Sequence, residues 1–150
     1  MSRRDVPNIN IEGARIMFRN FSGKNDRFNP GRRNFSVIID DPKEAESLRE
    51  EGWNIKEYQA DPEEPPIYRL EVRIKFEPIR PTIWLITKSG GKTLLNEETI
   101  DVLDDSEIDN IDLVVRPYCW EMNGKTGISA YVKTMYVTIV EDVFASKYAD

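Results

Sequence analysis

A chain of 150 residues, 39% hydrophobic and 32% charged, has room for one ordinary domain over 1–150, which at this size buries roughly 68–70% of the surface its unfolded form exposes. Histidine is absent and Cys119 is the lone cysteine. Together these exclude an internal disulfide, zinc held by histidines or by several thiolates, and histidine-dependent nucleophilic or acid–base catalysis. No apolar run approaches a membrane span, and the opening MSRRDVPNIN lacks the apolar centre of a signal peptide. A cytoplasmic protein without a cofactor is expected.

In chain order, a first strand is predicted over Asn10 to Asn20, with Ala14, Ile16 and Phe18 on one face and Arg15, Met17, Arg19 and Phe21 on the other. A Gly-, Asn- and Pro-containing loop from Ser22 to Arg32 leads to a second strand, Arg33 to Asp40. Asp41 is suited to cap a short surface helix that has Pro42 at its first position and Gly52 at its end. Trp53 to Tyr58 reads as a short strand, and ADPEEPP as a break that no central strand tolerates. In Tyr68 to Glu77, Tyr68, Leu70, Val72, Ile74 and Phe76 alternate with Arg69, Glu71, Arg73, Lys75 and Glu77. Pro78 and Pro81 bracket a corner before a strand at Thr82 to Lys88, and Ser89-Gly90-Gly91 turns the chain. Asn96 caps one or two helical turns reaching Leu103, with Glu97 and Glu98 at their positive end. The last third is a long hairpin: Ile111 to Trp120 pairs with Ile128 to Val140 across EMNGKTG, where Asn123-Gly124 is the turn signal. A bulge is expected near Thr134, because Met135, Tyr136, Val137 and Ile139 leave neither face clearly polar.

About six strands with helices only in the connections make a mainly β protein. Few, long, bent strands favour a small closed barrel of OB type over a sandwich, with one or two short helices in connections and a long C-terminal hairpin.

The net charge of −6 is distributed unevenly. Residues 1–33 carry +5, 67–93 carry +4 and 113–136 carry +2, whereas 40–66 carry −7 and 94–112 carry −8. Cations thus concentrate in strand segments and acids in connections, so a basic face can exist on an acidic molecule.

The candidate ligand surface follows from this alternation. On the final hairpin Ile111, Leu113, Val115, Pro117 and Cys119 form the core face, leaving Asp112, Val114, Arg116, Tyr118 and Trp120 outward. Tyr131 and Lys133 lie beside them on the partner strand, and Lys125 is at the tip. Aromatic rings can stack nucleobases while Arg and Lys engage phosphates. The first strand and its loop add Arg15, Arg19, Phe21, Lys24, Arg27, Arg32 and Arg33, interleaved with Phe28 and Phe35. The bland alternatives are that the hairpin rings pack under a loop and that the phenylalanines are core or anchors, which is favoured for Phe35. Arg73, Lys75, Arg80, Lys88 and Lys92 could extend the stripe, although outward strand charges are usually just solvated. Asp104, Asp105 and Asp109 could hold Mg²⁺, but without a second converging carboxylate cluster a solvated acidic loop is the simpler reading. SGGKT lacks the spacing of a phosphate loop and reads as a turn.

The block DLVVRPYCWEMNGKTGISAYVKTMYVTIVED resembles the C-terminal hairpin of phage-encoded single-stranded DNA-binding proteins. GARIMFRNFSGKNDRFNPGRRNFSVIIDD, followed by EEGWNIK, resembles their opening, so the likeness spans roughly residues 10–142. It implies an OB-fold that coats single strands without sequence specificity in phage replication or recombination, inside the infected host cell. The implied partners are single-stranded DNA and replication or recombination proteins, with self-association open. Carried over by position, the ligand surface includes Arg15, Arg19, Phe21, Arg116, Tyr118, Trp120, Tyr131 and Lys133. Many such proteins end in a long acidic tail that recruits partners; EDVFASKYAD is short and weakly acidic, a departure from that pattern. Two other classes compete: a phage structural or interaction protein using the same rings for a protein partner, and a Mg²⁺-dependent nuclease. For single-stranded DNA binding, Trp84 and Trp120 are the expected fluorescence reporters, with Trp53 silent.

Overall fold

The computed structural model describes residues 6–24 and 31–140. Among them the chain runs β1 (Ile9–Ile11), β2 (Ile16–Asn20), β3 (Arg33–Ile39), α1 (Pro42–Glu51), β4 (Ile55–Tyr58), β5 (Ile67–Ile74), β6 (Thr82–Thr87), β7 (Lys92–Leu95), α2 (Val102–Asp105), β8 (Ile108–Met122) and β9 (Lys125–Ile139). The protein is mainly β, with two short helices.

One sheet holds the strands in the order β1-β8-β9-β5-β3-β2, with β4 on β5, β6 on β9 and β7 on β6. β9 is its axis. It pairs antiparallel with β8 along nearly its whole length, while its other edge meets β5 and then β6, both parallel. The ladder does not close on itself as a barrel. The expected single first strand is broken near Gly13, which has φ 59, so that β1 serves β8 while β2 serves β3. In the gap, the Gly13 amide donates to Asp112 Oδ1 and the Ala14 amide to the Ile111 carbonyl.

The inward faces follow the period-two pattern. Phe35, Val37 and Ile39 of β3, Leu70, Val72 and Ile74 of β5, and Ile111, Leu113 and Val115 of β8 are buried together. On β9 the register steps from Val115 opposite Val132 to Val114 opposite Thr134, leaving Lys133 as the extra residue of a bulge. That step keeps Ile128, Ala130 and Val132 inward before it, and Met135 and Val137 inward after it.

β2 carries a second bulge. Met17 faces Ser36 and Asn20 faces Asn34, so β2 has one residue more than β3 between them. Strict alternation therefore fails here: Phe18 turns outward and Phe21 turns into the core, the reverse of the sequence-based assignment.

α1 forms as its sequence dictates. Asp41 caps it by accepting from the Lys43 amide, Pro42 opens it, and Gly52 ends it at φ 113, a left-handed conformation glycine adopts freely. The Gly52 carbonyl then accepts from the Ile128 amide at 2.9 Å, and Trp53, buried at 2% exposure, forms a parallel bridge with Ile128. The end of α1 is thereby fastened to the β8–β9 hairpin.

Candidate nucleic-acid interface

On the outer face of the hairpin, Arg116 lies opposite Tyr131, Tyr118 opposite Ser129, and Trp120 opposite Gly127. The Arg116 guanidinium carbon is 5.3 Å from the Tyr131 ring centroid, a cation–π distance. Tyr118 meets Tyr131 edge to face at 6.2 Å. Tyr118 and Trp120 remain 47% and 37% exposed, so their rings are accessible. The indole of Trp120 lies over Gly127: a Cβ there would stand 2.5 Å from Cζ2. Glycine at this position lets a large ring lie close against the backbone of its partner strand.

The parallel contact of β5 with β9 sets Arg73 beside Tyr131, and Arg73 in turn faces Asn34 of β3. One row across the sheet therefore reads Arg116, Tyr131, Arg73, Asn34. Arg73 was only a possible extension in the sequence, because the pairing of β5 with β9 has no local signal. Lys133 projects from the bulge and Lys125 from the tip, both exposed.

The first-strand residues are not gathered with the hairpin. Phe21 is a correction: it is fully buried and stacked on Phe35 at 5.2 Å, where no base can reach it. Arg19 donates to the carbonyls of Leu103 and Ser106, tying β2 to the end of α2. Arg15 pairs with Asp40, and Arg32 lies 3.8 Å from Glu71. Arg33 donates to the carbonyls of Phe21 and Glu97. Lys24 is exposed, and Arg27, Phe28 and the tail from residue 141 lie outside the described residues.

The acidic connection from Asp104 to Asp109 has structural work. Both Asp104 oxygens accept backbone amides, from Phe21 at 2.7 Å and Ser22 at 2.9 Å, while Asp109 pairs with Lys88 at 3.3 Å. Among the described residues no three His, Cys, Asp or Glu side chains are grouped to hold a metal ion. Nor is any described helix long and apolar enough to cross a membrane. Across β6 and β9, Trp84 faces Tyr136, and the Lys92 ammonium sits 4.4 Å from the centre of the Trp84 ring, which it caps.

No curated protein matches the chain. Among solved structures it is similar in fold to the single-stranded DNA-binding protein from bacteriophage Enc34. A C-terminally truncated form gives a TM-score of 0.53 at 14% identity, covering 90% of this chain and 87% of that one. A second structure, of the Enc34 protein in complex with ssDNA, gives 0.51 at 15% identity, covering 90% and 88%. A family model matches residues 1–150, and by that match the chain belongs to the family described as "Putative phage ssDNA-binding domain".

Proposed function

We propose that this protein binds single-stranded DNA, without sequence preference and without catalysis, on the outer face of the β8–β9 hairpin and the adjoining part of β5. The observation that carries the reading is the set Arg116, Tyr118, Trp120 and Tyr131, which shares one outward face in register, Tyr118 and Trp120 exposed and Arg116 and Tyr131 half-buried. Stacking on such rings is sequence-tolerant because every base has a π-face, and each ring is worth roughly 1–3 kcal/mol per base. Arg116, Arg73, Lys125 and Lys133 engage the phosphates. The protein thereby coats strands during phage replication or recombination in the infected cell.

The strand order supports an OB-type reading of the fold. β3, β5, β9 and β8 follow one another, and the two pieces of the first segment attach to β3 and to β8 at the ends of that series. Taken as one bent strand, β1 and β2 run from one end of that series to the other, as the first strand of an OB-type wall does. In the gap between them the Ala14 amide is bonded to the Ile111 carbonyl of β8.

Titration of a dT oligonucleotide at several salt concentrations tests the function. Four neutralised phosphates give a slope of log K against log[salt] of about −3 for single strands, and Arg116→Gln lowers it by about 0.7. Trp120 fluorescence changes on binding, whereas Trp53 does not respond and Trp84 responds weakly beneath Lys92. Full affinity retained in the double variant Tyr118→Ala, Trp120→Ala removes the hairpin surface as the binding site.

A further inference from the structure

The bulge in β2 places an aromatic ring where the fold does not require one. Phe18 has φ 56, a left-handed conformation that bulky side chains avoid, and it is 51% exposed. Tyr58 of β4 meets it edge-on at 5.4 Å, and the Arg69 guanidinium carbon lies 5.1 Å from its centroid. With Ser36, Lys56, Arg69 and Glu71, Phe18 lines a depression of about 310 Å³ on the outer face of β3 and β5. Arg69 donates to Ser36 Oγ at 2.8 Å, but its Nε is buried and has no hydrogen-bond partner among the described residues. A strained, solvent-facing ring beside an unsatisfied buried donor describes a site whose ligand is both flat and an acceptor.

We propose that this depression is a second base-binding subsite, in which one nucleobase stacks on Phe18 and turns a carbonyl oxygen toward Arg69 and Lys56. Reaching Arg69 Nε requires the side chains over it to part as the base enters. The inference rests on the single-stranded DNA reading above and extends its path. Outward positions of β5 lead from Arg73, beside Tyr131, through Glu71 to Arg69, four residues or about 13 Å away. A single strand can therefore occupy the hairpin and the depression together. Arg32, Lys56, Arg69 and Arg73 outnumber Glu71 along this route, which favours a polyanion over an uncharged ligand.

Photo-cross-linking of the full chain to 4-thiothymidine-substituted dT oligonucleotides, with the adducts located by mass spectrometry, tests the subsite directly. Cross-links at Phe18 or Tyr58, in addition to the hairpin, are expected. In parallel, affinities are measured for the wild type, Phe18→Asn and Trp120→Ala on intact dT and on oligonucleotides with one abasic position moved along the strand. Asparagine tolerates the backbone of residue 18, so the ring is removed without added strain. Phe18→Asn is expected to weaken binding about ten-fold, the scale of one lost stack, and to abolish the penalty of an abasic site at one position only. Wild-type binding with cross-links confined to the hairpin, and unchanged affinity in Phe18→Asn, overturns the subsite while leaving the hairpin surface standing. Failure of the wild type to bind single strands overturns both.

Discussion

Gly127 and Trp120 act as a pair across the hairpin, and the pairing makes a specific demand on residue 127. A methyl group there collides with the indole, so Gly127→Ala is expected to push the ring off its seat while leaving the ladder formed. DNA affinity should fall by about as much as in Trp120→Ala, roughly 1–3 kcal/mol, with unchanged far-UV circular dichroism. Phe21 carries the opposite expectation. Its truncation to alanine opens a cavity beside Phe35 and lowers unfolding free energy by about 3–5 kcal/mol, measured by urea denaturation, with per-molecule binding preserved. Tyr118, Trp120 and Tyr131 were legible from the sequence because uninterrupted alternation maps residue parity onto faces. Phe18 and Phe21 were not, because one added residue in β2 inverts that parity and leaves no mark in the local pattern. The cations of the first strand misled for a different reason. Their positions were visible, but the carbonyls that occupy Arg19 and Arg33 come from distant segments.

Among the elements, those defined by local chemistry were the readable ones. The cap, proline and terminal glycine of α1 name its ends, and Asn123-Gly124 names the tip of the hairpin. β7 was missed because four residues, Lys-Thr-Leu-Leu, are too short to establish a period; only pairing with β6 makes them a strand. The Asn96 segment was read as helix from its cap, and Asn96 Oδ1 does accept the Glu98 and Thr99 amides, but the regular helix there is only Val102–Asp105. Asp104, in that helix, holds the chain leaving β2 through two amides. Asp104→Ala strands both donors in a partly buried position and is expected to reduce stability by about 1–3 kcal/mol in urea titration. Arg15→Ala, which breaks only an exposed pair with Asp40, should change it by less than about 1 kcal/mol.

At the scale of the whole molecule, charge is uneven: the stretches 40–66 and 94–112 carry −7 and −8, while Arg73, Arg116, Lys125 and Lys133 stand on β5, β8 and β9. A net charge of −6 therefore does not oppose binding of a polyanion to the proposed face, since the field at the face, and not the total, governs encounter. The fastening of Gly52 and Trp53 to Ile128 has a consequence for how encounter proceeds. A two-stranded arm projecting alone would sample many orientations and lose that freedom each time it gripped a strand. Anchored at its flank by the α1 corner, the arm surrenders it once, during folding, and on the proposed binding face it would meet DNA already shaped. Replacing Gly52 by alanine, at a φ of 113 and with Ile128 side-chain atoms about 3.5 Å from the new methyl, strains this anchor. Faster amide exchange across the hairpin and slower association are then expected, with the rings of Tyr118 and Trp120 chemically untouched. On the proposed binding face, part of the grip would in that sense be stored in a contact that lies outside it.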